Sequence, residues 1–195
     1  MKRKSFREAV AELKASVKDL RGSVKLRAAL DAFGVFLDGR TCLDVGASTG
    51  GFTTVLLERG AARVYAVDAG YGQLLGSLRQ DPRVVNLEST NVAVAQIAEA
   101  LDLVTVDVSY LSLAEAAVQL NRFSFRSGAE FVGLVKPMFE LKLGTAPTDR
   151  ASLDEALARA VAGIEGAAWS VIETMPSPVT GASGSIEGFV HARMG

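Results

Sequence analysis

Leu43-Asp44-Val45-Gly46-Ala47-Ser48-Thr49-Gly50-Gly51-Phe52-Thr53-Thr54 decides how this chain folds. The segment reads as a buried strand that breaks into a glycine-rich turn and then opens a helix. In an open α/β sheet this arrangement makes a ligand crevice beyond the carboxyl end of the strand, and the glycines let backbone approach the ligand. Two familiar glycine patterns fail here. Ser48 stands where a dinucleotide fingerprint needs its second glycine, and Gly51-Phe52 stands where a phosphate-cradling loop needs Lys-Ser/Thr. The turn is therefore expected to take a nucleoside-like ligand rather than a pyrophosphate.

The next strand agrees. Arg63-Val64-Tyr65-Ala66-Val67 ends at Asp68, about twenty residues after the glycine turn begins, where an acid can accept hydrogen bonds from ribose hydroxyls. S-adenosylmethionine carries a ribose and an adenine but no phosphate, so it suits this pairing. The alternative is that Asp68-Ala69-Gly70 is only a turn.

Outward from this centre, strands are expected near 41–45, 63–67, 83–87, 102–106 and 130–136, alternating with helices near 51–59, 72–80, 92–99, 112–121 and 151–166. Alternation of this kind demands crossover connections. Residues 168–175 and 185–192 read as two closing strands, one of them antiparallel at the edge. The expected fold is α/β: a Rossmann-like, doubly wound, mostly parallel seven-stranded sheet with helices on both faces. Segment 140–150, with Gly144 and Pro147, reads as a loop beside a strand end.

Composition sets the frame. With 49% hydrophobic and 22% charged residues in 195, the chain can build one core. No apolar run approaches the ~18 residues needed to cross a bilayer, and the basic amino terminus lacks the apolar segment of a signal peptide, so a cytoplasmic protein is expected. Cys42 is the only cysteine, which excludes an internal disulfide, and it reads as a buried hydrophobe. His191 is the only histidine, so neither a histidine metal cluster nor a serine–histidine nucleophile is expected, and it reads as structural.

Charge divides along the chain. Residues 1–27 hold nine Lys/Arg against three acids, a balance of +6, and the remainder holds twelve against nineteen, a balance of −7. The basic arm is suited to an anionic partner, nucleic acid first, or is a solvated helix face. Ala9, Val10, Leu13, Val17 and Leu20 fall at helical spacing within 5–20, a stripe that would pack on the sheet domain or on a partner chain. Arg21-Gly22-Ser23 is expected to break that helix before a second one over 24–33. The division anticipated is a basic helical extension over 1–22 and a catalytic domain over 23–195.

Charged residues also punctuate strand ends. Val104-Thr105-Val106 ends at Asp107, Phe131 through Val135 ends at Lys136, and Glu187 lies within the last strand. Such groups are rarely buried alone, so they should meet one another, either as a structural ion pair or as a site. Methyl transfer to a hydroxyl would use such a cluster: the acceptor oxygen must be aligned and its proton removed. A lysine serves as base when burial or a second cation favours its neutral form.

Five segments, in order, resemble motifs of the haemolysin A-like (TlyA) methyltransferases within the FtsJ-like ribose 2′-O-methyltransferases. They are Arg21-Gly22-Ser23-Val24-Lys25-Leu26, the Asp44–Thr53 turn, Asp107-Val108-Ser109-Tyr110, Val135-Lys136-Pro137-Met138-Phe139-Glu140, and Pro176 through Gly181 followed by Ile186-Glu187. The resemblance implies a Lys25, Asp107, Lys136, Glu187 tetrad. Lys136 would activate a ribose 2′-hydroxyl, Lys25 and Glu187 would position it and tune its charge, and Asp107 would orient both the lysine and the methyl-bearing end of S-adenosylmethionine. It also implies cofactor contacts from Asp44, from Gly46 through Phe52, from Asp68 and from Asn91 near the adenine, with no metal. The partner implied is structured RNA, ribosomal RNA first, and not a membrane. An enzyme methylating a hydroxyl on a small molecule or another polymer is the alternative, and a non-catalytic cofactor-binding interaction protein is a further one.

Two departures bear on substrate choice. Members of this kind usually begin with a small RNA-binding domain, where this sequence has a basic stretch about twenty residues long. Leu141-Lys142-Leu143-Gly144-Thr145 lacks the family's glycine-rich lysine loop, and a changed loop beside a site changes what fits. Trp169, Phe123 and Phe125 are weaker candidates for stacking on bases, since aromatics near strands usually belong to the core.

Overall fold

β1 (Thr41–Val45) is buried along its whole length, as a strand covered on both faces of a parallel sheet must be. The computed structural model describes residues 20–181 and 184–195. In it β2 (Arg63–Val67) and β4 (Leu101–Val106) flank β1 in parallel. β3 (Val84–Leu87) continues beyond β2, and β5 (Phe125–Val135) lies beyond β4. β7 (Gly188–Met194) runs antiparallel to β5, and β6 (Trp169–Pro176) pairs antiparallel with β7. The order is β3-β2-β1-β4-β5-β7-β6.

Successive strand residues point to opposite faces, and the two cores follow from that alternation. Leu43, Val45, Val104 and Val106 pack with α4 (Leu113–Leu120) and α6 (Arg150–Gly166). Cys42, Val64, Leu103 and Phe189 pack with α1 (Arg21–Phe33) and α2 (Gly51–Glu58) on the other face. Helix starts are chemically marked: Ser112 forms a capping box with Glu115, and the Asp149 side chain accepts from the Ser152 amide. α3 (Gly76–Arg79) and α5 (Pro137–Glu140) are single turns.

Four expectations need correction. The antiparallel strand is not at the edge: β7 is inserted between β5 and β6. Its five residues from Gly188 to Ala192 are all buried, whereas β6 exposes Ser170, Glu173 and Thr174, so the apolar strand takes the inner place. No helix forms over 92–99. The Asn91 side chain accepts from the Ala93 amide, and one turn already buries Val92 and Ala95. The helix over 72–80 shrinks to Gly76–Arg79 because the Gln73 and Leu74 amides donate to the Glu88 carboxylate at 2.7 and 3.0 Å. The second helix starts at Arg21 rather than 24, so Arg21-Gly22-Ser23 forms the first turn of α1: Gly22 fits against Phe52, and Ser23 Oγ donates to the Gly51 carbonyl at 2.9 Å. The stripe over 5–20 lies outside the described residues apart from Leu20. Among the described residues no helix is long and apolar enough to cross a membrane.

Asp44, fully buried, ties β1 to its neighbours by accepting from Thr53 Oγ1 at 2.7 Å and Thr105 Oγ1 at 3.0 Å. Burial pushes its carboxyl up to about 6, against the pull of those hydroxyls. A raised acid holds its proton more tightly in the folded chain. Its contribution therefore favours folding below the unfolded value near 4 and is lost as pH rises through 6, a cost of roughly 3 kcal/mol by pH 7. Asp44→Asn keeps partners for both hydroxyls without the charge. Thermal unfolding should show the variant more stable than its parent above pH 6 and nearly equal at pH 4; a difference that does not vary with pH would contradict this account.

Candidate active site

The crevice opens where β1, β2 and β4 end. Gly46, the first residue past β1, has φ +87°, and a Cβ there would lie 2.2 Å from the Asp107 carbonyl oxygen. Only glycine lets the two strand ends come this close. The Asp107 amide donates to the Val45 carbonyl at 2.8 Å, which fixes the junction. Two lobes meet there, sharing Gly46, Ser48 and Asp107. One, of about 280 Å³, holds Asp68, Gln73 and Tyr110. The other, of about 350 Å³, runs along Ala47, Thr49, Gly51 and Phe52 to Arg21.

Asp68 anchors the first lobe. Its carboxylate accepts from the Ser48 amide at 2.7 Å and the Gly70 amide at 2.6 Å, and each oxygen keeps a second lone pair for a hydroxyl. Tyr110 lines the same lobe, and burial, then the Asp68 charge, raises its phenol. A carboxylate in one lobe and, lining the other, Arg21, whose guanidinium donates to the Gly181 carbonyl at 3.3 Å, fit a nucleoside bearing an amino-acid tail.

Beyond the crevice lies a cleft of about 620 Å³ lined by Lys25, Ser109, Lys136 and Glu187, with Met138 and Thr145 on its outer wall. Lys136 Nζ stands 2.5 Å from Asp107 Oδ1 and donates a hydrogen bond to Ser109 Oγ at 2.9 Å. Lys25, brought in by α1, forms a buried ion pair with Glu187. The tetrad is thus assembled as two ion pairs, Asp107 facing the crevice and the other three facing the cleft. Breaking a buried pair by removing one partner costs about 3–5 kcal/mol, so Lys25 and Glu187 hold α1 to the last strand as well as lining the site. Glu140, closing α5 directly after Lys136, caps α4 by accepting from the Leu113 amide, and burial raises its carboxyl to about 7.

Three expected cofactor residues sit elsewhere. Asp44 is sealed beneath the turn, with Thr53 and Thr105 on its oxygens, and lines neither lobe. Gly50 likewise serves packing, since a Cβ there would strike Leu78 at 2.1 Å. Asn91 spends its side chain on its own turn, and Thr90 lines the crevice instead. Ala47, Ser48, Thr49, Gly51, Phe52, Asp68 and Asp107 do face it. Base stacking is closed to Trp169, which is buried against Phe125 and Phe131, and to Phe123, which is also buried. His191 is structural: buried in the middle of β7, it stacks on Phe33 and contacts Glu130 at 3.2 Å. Burial opposes ionisation of Glu130, but hydrogen bonds from His191, Arg40 and Arg193 carry its carboxyl down to about 2. The Cys42 thiol is raised to about 12, by burial first. Sequence reasoning missed Arg21, Gln73 and Tyr110 as wall residues. Arg21 and Tyr110 lie inside quoted motifs, whereas Gln73 carries no sequence signal.

A seven-stranded sheet of this order, with a glycine crevice for a nucleoside and no cradle for phosphate, defines a Rossmann-like, S-adenosylmethionine-dependent methyltransferase. Residues 20–194 match the FtsJ-like methyltransferase family, and the chain belongs to it. It is 46% identical over 181 residues to the 16S/23S rRNA (cytidine-2′-O)-methyltransferase TlyA of Mycobacterium tuberculosis, covering 89% of this chain and 67% of that protein. It is 35% identical to Hemolysin A of Brachyspira hyodysenteriae, covering 88% of this chain and 75% of that protein. Among solved structures, one from Lactococcus lactis described as a hemolysin superposes with TM-score 0.84 at 32% identity, covering 91% of this chain and 88% of that one. Aeropyrum pernix fibrillarin, at TM-score 0.64 and 16% identity over 88% of this chain and 76% of its own, shares the fold.

Asp68→Ala removes the crevice carboxylate that the sequence pattern points toward ribose hydroxyls. Calorimetry should show S-adenosylmethionine binding weakened by about 10- to 100-fold, the worth of a charged hydrogen bond or two. Unchanged affinity would rule Asp68 out of the cofactor site.

Proposed function

We propose that the protein methylates a ribose 2′-hydroxyl of RNA, with ribosomal RNA as the substrate and the cytoplasm as the place of reaction. The observation that carries this reading is Lys136, paired with Asp107 at the seam between the cofactor crevice and the 620 Å³ cleft. The names of the relatives, which specify cytidine 2′-O-methylation of rRNA, support the substrate.

S-adenosylmethionine supplies an electrophilic methyl group on its sulfonium. The chain must hold an acceptor oxygen in line with that methyl and give its proton somewhere to go. Lys136 takes the proton of the hydroxyl onto Nζ. Asp107 then sits against the new ammonium, in a setting where a charged contact counts for more than in water. Lys25 and Glu187 form the opposite wall and fix the oxygen's approach. The 620 Å³ cleft has room for a nucleotide. The basic segment over 1–22 adds contacts to phosphate.

Two experiments test this. Lys136→Ala should lower methyl transfer to ribosomal subunits by about 100- to 10,000-fold while cofactor affinity stays within a few-fold of the parent; undiminished turnover would remove the proposed base, and labelling of metabolites instead of RNA would replace the substrate. Removing residues 1–19, which spares Leu20 at the crevice rim, should weaken RNA binding and flatten its dependence on salt. An unaltered salt slope would assign the arm another role.

A further inference from the structure

Lys136 has two polar neighbours, and they do different things. Asp107 Oδ1 lies within 2.5 Å of Nζ, yet it makes no directed hydrogen bond with it. The aligned hydrogen bond from Lys136 is the one accepted by Ser109 Oγ at 2.9 Å. Asp107 therefore supplies charge, which is nearly indifferent to how the amine is turned about its Cε–Nζ bond. Ser109 supplies direction.

Direction matters because a neutral amine has one lone pair and two N–H groups. With one N–H held toward Ser109, the amine's turn about Cε–Nζ is fixed and the lone pair is kept off the serine side, while Asp107 adds only its charge. Without the serine the amine turns freely, and the pair points at the acceptor hydroxyl only part of the time.

The setting of Ser109 suits such a task. It belongs to the short loop after β4 whose start is clamped to β1 through the Asp107 amide and the Gly46 contact. It lines both the cofactor crevice and the cleft, which places it beside both reactants. Its side chain is exposed, and no hydrogen bond to another described residue ties the hydroxyl into the fold.

We propose that Ser109 is a positioning residue which, by accepting a hydrogen bond from Lys136, aims the lysine's lone pair at the acceptor hydroxyl; this rests on Lys136 being the proton acceptor. The test uses the full chain, tritiated S-adenosylmethionine and bacterial ribosomal subunits under single-turnover conditions. Ser109→Ala should slow methyl transfer by about 10- to 100-fold, the effect expected of lost alignment, with cofactor and subunit affinities within about threefold of the parent. Ser109→Thr, which retains the acceptor, should recover most of the rate. In a Lys136→Ala background the serine change should cost nothing more, because its effect passes through the lysine. Equal losses in both backgrounds, or a Ser109→Ala rate within about twofold of the parent, overturn the proposal while leaving Lys136 in place. Full activity of Lys136→Ala alone overturns the lysine assignment itself. A substrate-free readout guards against the wrong RNA: in nitrogen NMR of isotope-labelled lysine with cofactor bound, the Lys136 Nζ protons should exchange with water faster in Ser109→Ala than in the parent, and equal exchange overturns the serine's role.

Discussion

The contact between Gly46 and Asp107 governs everything else at this site. The end of β1 and the end of β4 press together so closely that a single methyl group on Gly46 would collide with the Asp107 carbonyl. That closeness puts the Asp107 carboxylate at the floor of the crevice, shared by both lobes, and within reach of Lys136 at the end of β5. Crevice and cleft are thus joined through the Asp107–Lys136 pair, and the distance between them is set by strand spacing in a sheet, the least deformable spacing the fold offers.

Charge has been buried here at some expense. Lys25 and Glu187 are both nearly inaccessible, and an apolar pair of similar size would serve stability at least as well. Asp44 is held at a raised pKa beneath the glycine turn, and Glu140 at another beside α5. Such features cluster around the mouth of the sheet. At the opposite end, by contrast, Glu130 is fully matched by His191, Arg40 and Arg193, and its carboxyl is lowered. One end of the sheet satisfies its charges for stability; the other keeps them poised around a cavity.

Much of this was legible in the residues. β1, β2 and α2 could be placed because a hydrophobic run, a glycine cluster and a helix start follow one another without a gap. Asp68 could be placed at the crevice because it terminates a strand of clear period. The helix over 92–99 could not be excluded, because Asn91 caps a turn as readily as it caps a helix. The helix over 72–80 was shortened by a carboxylate fourteen and fifteen residues away, Glu88, which no local pattern reveals. Asp44 and Asn91 lie next to residues that line the crevice, but adjacency along a chain does not fix which way a side chain points.

What the sequence determined by itself is the local chemistry: an alternating α/β pattern, a turn shaped for a nucleoside, and charged residues that end apolar strands. Burial periodicity and turn stereochemistry act over a few residues, so they can be read there. Only the tertiary structure decided the partners. Lys25 finds Glu187 across 162 positions of chain, Lys136 finds Asp107 rather than Glu187, and β7 slips between β5 and β6. Those choices depend on which surfaces exclude water together, a property of the assembled sheet that no single segment carries.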